Sequence, residues 1–83
     1  MYSIRMRGSA EKEIRNLPHG VRQRVVTTIQ ALAEAPRPQG CQKLSGRDAW
    51  RLRVGRYRIV DTIQDDALII EAVKVAHRRE VTR

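Results

Sequence analysis

Tyr2, Ile4 and Met6 alternate with Ser3, Arg5 and Arg7 before Gly8, which is the period of a half-buried strand. A helix is predicted next. Ser9 is placed to cap it, Glu11 and Glu13 suit its positive first turn, and Ala10, Ile14 and Leu17 fall on one stripe. Pro18 ends that helix or starts another, in which Val21, Val25, Ile29 and Leu32 recur at offsets of four, four and three. Pro36 and Pro38 stop it, and Pro36-Arg37-Pro38-Gln39-Gly40 forms a stiff connection too short to separate domains. The composition then shifts toward strand formers, with strands expected at about 49 to 54, 56 to 63 and 67 to 75 and a turn at Gln64-Asp65-Asp66. This order, β-α-α-β-β-β, predicts one α+β domain over residues 1–83, with a two-helix hairpin on one face of a small antiparallel sheet. The other face is left open.

Four arginines alternate through Trp50-Arg51-Leu52-Arg53-Val54-Gly55-Arg56-Tyr57-Arg58-Ile59-Val60. A strand sends successive side chains to opposite faces, so Trp50, Leu52 and Val54 enter the core while Arg51 and Arg53 share the open face. Gly55 permits a reversal that lays the Arg56 and Arg58 series beside the Arg51 and Arg53 series. Like charges facing one another across a sheet destabilise it, which makes a polyanion the expected ligand. The whole chain agrees: seventeen Lys plus Arg against nine Asp plus Glu leave a formal charge of +8. Lys43, Arg47 and Lys74 add to that field, either as phosphate contacts or for solubility.

Composition narrows the remaining classes. There is no Phe and a single Trp, so the core is aliphatic with Trp50 as its one large aromatic anchor. No apolar run reaches the length of a spanning helix, and nothing after Met1 resembles a secretion signal, so a cytoplasmic protein is expected. Cys41 stands alone and His19 and His77 are far apart, which predicts neither a disulfide, a metal centre nor another cofactor.

The chain resembles the RelE/ParE superfamily of bacterial and archaeal toxins over nearly its whole length. Besides the element order, three stretches carry the likeness: Lys43-Leu44-Ser45-Gly46, the arginine stretch 50–60, and Val75-Ala76-His77-Arg78-Arg79-Glu80-Val81. For the RelE branch, the resemblance implies a toxin that cleaves messenger RNA on the ribosome without metal. The 2′-hydroxyl of one nucleotide attacks the adjacent phosphate, leaving a 2′,3′-cyclic phosphate and a 5′-hydroxyl. By position, the family's basic catalytic residues fall on Arg51, Arg53, Arg58 and Arg78; on their charge or aromatic ring alone, Lys43, Arg47, Arg56 and Tyr57 are candidates for further RNA contact. The implied partners are the ribosome and its message, and a cognate acidic antitoxin of the RelB kind. Through that antitoxin the pair would bind operator DNA.

Two departures qualify the implied activity. Arginine keeps its proton at neutral pH in all but a minute fraction of molecules, so neither Arg51 nor Arg53 is an effective general base. Family members with lysine at one of these positions have an easier candidate; here the candidate base is His77, beside Arg78, histidine being the side chain suited to accept a proton near neutral pH. Where many RelE-type chains end the last signature in tyrosine, this one has Thr82, which cannot stack on a base. Two alternatives therefore stand beside the nuclease: a ParE-type inhibitor of DNA gyrase, and a degenerate member that only binds its antitoxin.

Overall fold

The computed structural model describes residues 1–46 and 48–77. In chain order they form β1 (Ser3–Met6), α1 (Gly8–Arg15), α2 (His19–Ala31), β2 (Gln42–Lys43), β3 (Trp50–Val54), β4 (Tyr57–Gln64) and β5 (Ile69–His77). The strands make one five-stranded sheet in the order β1-β5-β4-β3-β2. From β2 to β5 each neighbour is antiparallel, while β1 lies parallel to β5 along the register Ser3↔Ile69 to Met6↔Ala72. The α+β architecture expected from the hydrophobic pattern is the one observed. Two details differ: the sheet is mixed rather than wholly antiparallel, and a two-residue strand, β2, extends it beyond β3.

The helices cover one face because their apolar stripes have nowhere else to go. Ile14 of α1 and Val25 and Ile29 of α2 pack with Val54, Ile59, Ala72 and Val75 from the three central strands. Leu32 closes a second cluster over Ile63 and Ile70, joined by Tyr2, Trp50 and Leu52. Glu13 fastens α1 to β5 by accepting the Val75 backbone N–H at 2.8 Å and pairing with Lys74 at 3.3 Å. Lys74 is thereby engaged within the fold.

Ser9 does not cap α1. The helix begins at Gly8, with Arg7 in the capping position and no side-chain capping bond, which puts Ser9 inside the first turn. Pro18 stands immediately before α2, at its N-cap position and without a side-chain capping bond, instead of closing α1. At the β3–β4 turn Gly55 adopts φ +59°, a left-handed conformation that favours glycine. Among the described residues, no helix is long and apolar enough to cross a membrane.

Ile59, fully buried where both helices meet the sheet, tests this core. Ile59→Ala should cost roughly 2–5 kcal/mol in chemical denaturation, whereas Arg56→Ala, on the exposed turn, should stay within about 0.5 kcal/mol of the parent.

Candidate functional site

Directly opposed residues in a sheet share a face, so the register sorts the candidate side chains. Trp50↔Asp61, Leu52↔Ile59 and Val54↔Tyr57 lie on the helix side, and Arg51↔Val60 and Arg53↔Arg58 on the other. Burying Val54 and Ile59 thus drives Arg51, Arg53 and Arg58 through to the same surface. There they border one cleft of about 430 Å³, completed by Gln39, Gly40, Gln42 and the edge of Leu52. Arg53 and Arg58 are directly opposed, which concentrates positive charge at one point of the sheet.

The arginine face is not uniformly open, as the hydrophobic pattern had suggested. Arg58 is 5% exposed, and its neighbours on that face, Val60 and Ala76, are also buried. The surface opens toward β3, where Arg51 is half-buried and Arg53 exposed. Arg51 is held by Gln42 across the β2–β3 pair, donating from Nε at 3.1 Å and Nη2 at 2.6 Å to the Gln42 side-chain oxygen. That acceptor is uncharged. Toward β1 the same face changes character, since Arg5 lies opposite Glu71, which also pairs with Arg7 at 3.3 Å.

Several expected contacts lie elsewhere. Tyr57 and His77 oppose one another across β4 and β5, their rings 5.4 Å apart and edge-to-face, on the same side as Val54. Neither shares the face of Arg58, with which the sequence had grouped them. Arg56 falls in the turn after Gly55 and so leaves the strand series. Lys43 opposes Trp50, on the face away from Arg51, beside a separate loop pocket of Leu44, Ser45, Gly46 and Asp48. Arg47, Arg78 and Thr82 lie outside the described residues.

Sequence reasoning missed Gln42, Gln39 and Gly40, which form one wall of the cleft. It also read Asp65 only as a turn former. Asp65 accepts two hydrogen bonds from Arg37, at 3.1 and 2.8 Å, and one from the Tyr2 hydroxyl at 2.7 Å. The Arg37 guanidinium stands 5.1 Å from the centre of the Trp50 ring. Arg37 and Tyr2 hold the Asp65 carboxyl below its usual range by donating to its charged form. This latch ties the α2–β2 connection, and so the cleft wall, to the β4–β5 turn. A tethered arginine 28 residues from its partner has no local signature.

Beneath the latch Asp61 is 2% exposed, and its Oδ2 accepts no hydrogen bond among the described residues. Burial raises its pKa to about 6, against the opposing pull of the Arg37 charge.

Comparison with known proteins gives these features a family. The model of the ParE toxin of type II toxin–antitoxin systems, parDE, matches residues 4–82. The E. coli RelBE toxin–antitoxin complex contains a chain with a TM-score of 0.81 at 25% identity, covering 93% of this chain and 96% of that one. An E. coli RelE mutant bound to a peptide of its antitoxin gives 0.76 at 29% identity, over 98% and 90%. The archaeal RelE–RelB complex from Pyrococcus horikoshii OT3 gives 0.84 at 24% identity, over 93% and 94%, a likeness of fold. A search of curated proteins returned no match.

Asp61 yields a pH prediction with a definite sign. Because its folded pKa lies above the ordinary value of 3.8, the folded state holds the proton more tightly and stability falls as pH rises from about 4 to about 6. Asp61→Asn should abolish this dependence and raise stability at pH 7, by on the order of 2–3 kcal/mol at most, in denaturation profiles across that range. The 4–82 match and the shared architecture together establish that the chain belongs to the RelE/ParE superfamily and is a toxin of a type II toxin–antitoxin system.

Proposed function

We propose that this toxin is a messenger RNA endonuclease of the RelE type, acting on message presented by the ribosome, with the phosphate to be cleaved seated in the cleft beside Arg51, Arg53 and Arg58. The single observation that carries this reading is the convergence of those three arginines on one cleft. The 2′-oxygen of one nucleotide attacks the adjacent phosphorus and the bond to the 5′-oxygen breaks. The 2′-hydroxyl proton is lost and the departing 5′-oxygen gains one, leaving a 2′,3′-cyclic phosphate and a 5′-hydroxyl.

Negative charge gathers on the non-bridging oxygens as the phosphorus becomes five-coordinate. Fixed guanidinium donors that tighten on that charge lower the barrier by differential binding, and their planar forks match phosphate oxygens in pairs. Arg51 and Arg53, successive residues on one face of β3, stand roughly 6.8 Å apart along the strand, wide enough to embrace one phosphate or bridge two. Arg78, outside the described residues, joins them by its place in the last signature. His77 faces away from the cleft, so among the described residues the toxin contributes orientation and charge, and we assign proton transfer to groups supplied by the ribosome or by solvent.

The partner is an acidic antitoxin. Relatives of this fold were solved as complexes with RelB antitoxins, and a net charge of +8 favours an acidic segment laid over the cationic surface. Bound there, it masks charge and blocks message together, and the pair would engage operator DNA through the antitoxin. Both toxin and target would then be cytoplasmic. A second reading, inhibition of DNA gyrase, is favoured by the ParE description of the matching family.

Inducing the chain in growing cells and mapping message 5′ ends separates the two. Cuts should fall within translated codons and require translation. Arg51→Ala and Arg78→Ala should each reduce them about 10- to 100-fold, the range expected for losing a charge-assisted phosphate contact of roughly 1.5–3 kcal/mol. Intact messages together with blocked gyrase supercoiling would select the second reading instead.

A further inference from the structure

Gln42 meets Arg51 in a way that leaves the arginine only one direction in which to bind. A guanidinium carries five N–H donors in a fixed plane. Arg51 commits its Nε–H and one Nη2–H to the Gln42 Oε1, at 3.1 and 2.6 Å, so the fork that remains is the end-on one across Nη1 and Nη2. The contact also fixes the glutamine. With its oxygen accepting from Arg51, the carboxamide retains two N–H donors and no second polar acceptor to set against an anion. Gln42 lines the same cleft as Arg51, Arg53 and Arg58, and it is set opposite Arg51 by the short pairing of β2 with β3.

The neutrality of this acceptor matters. A carboxylate of the same length would hold Arg51 equally well while cancelling its charge, and would oppose any phosphate nearby. A glutamine orients the guanidinium and leaves its charge to the ligand. On the reading that the cleft takes an RNA phosphodiester, we infer that Gln42 is a positioning residue, turning Arg51 end-on to the phosphate and adding its own amide donors beside it. The short β2 thus has a function at the site, since its Gln42 and the preceding Gln39 and Gly40 supply the wall that faces the arginines.

The test uses the full chain and a single-stranded RNA oligonucleotide methylated at every 2′-oxygen, which binds as a phosphodiester but lacks the attacking hydroxyl. Affinity is measured by fluorescence anisotropy across a salt series for the parent, Gln42→Glu, Gln42→Ala and Arg51→Ala, with thermal melts to establish that each is folded. Gln42→Glu should weaken binding at least tenfold, approaching Arg51→Ala, and reduce the slope of log affinity against log salt by about 0.7. Gln42→Ala, which frees Arg51 but keeps its charge, should weaken binding about three- to tenfold with the slope unchanged. Parent-like affinity in Gln42→Glu would overturn the inference, as would parent-like affinity in Gln42→Ala, which would reduce Gln42 to a bystander. Because this probe cannot be cut, loss of the nuclease reading in cells would leave the binding result standing, and failure of the parent to bind the probe would remove the phosphodiester assignment itself.

Discussion

The cationic cleft depends on what happens beneath it. Val54 and Ile59 are buried under the helices, and the alternation of a strand then sends Arg53 and Arg58 to the opposite face as a directly opposed pair. The apolar burial on the reverse side fixes the face of each strand, and the arginines follow from it. The hydrophobic core thus determines where the arginines converge. A phosphate seated beside them would draw on both guanidiniums, which ties the packing of this domain to its proposed chemistry.

A second layer of organisation concerns the cleft wall. The connection from α2 to β2 is irregular over most of its length, yet it supplies Gln39 and Gly40 to the site. Arg37 anchors it by reaching Asp65 in the β4–β5 turn and lying over Trp50, while Tyr2 completes the cluster from the start of the chain. The Arg37–Asp65 ion pair is exposed and contributes little to overall stability. The value of these contacts is geometric, because they hold a loop at a fixed distance from β3. Asp61, buried near the same guanidinium, links that geometry to protonation.

Much of this was legible in the amino-acid pattern. The two helices, the three long strands and the face assignment of Arg51, Arg53 and Arg58 all followed from periods of 3.6 and 2. Tyr57 could also have been excluded from the arginine face on parity alone, since it adjoins Arg58 in one strand. His77 could not, because its face depends on the register of β5 against β4, and a displaced pairing between Val60 and Asp61 intervenes. The parallel placement of β1 beside β5 was equally hidden: alternation marks a strand but does not choose its neighbour. β2 has only two residues, too few for any period, and Arg37 with Asp65 form a contact that only the folded chain brings together.

The proposed chemistry requires Arg51, Arg53 and Arg58 to act as one anion site. Following the side-chain Nε–H signals of all arginines by NMR, while adding the uncleavable oligonucleotide to the toxin, tests this directly. The signals of Arg51, Arg53 and Arg58 should move along a single saturation curve, with Arg15 and Arg22 on the helices unmoved. Separate curves for the three, or movement confined to arginines outside the cleft, would contradict it.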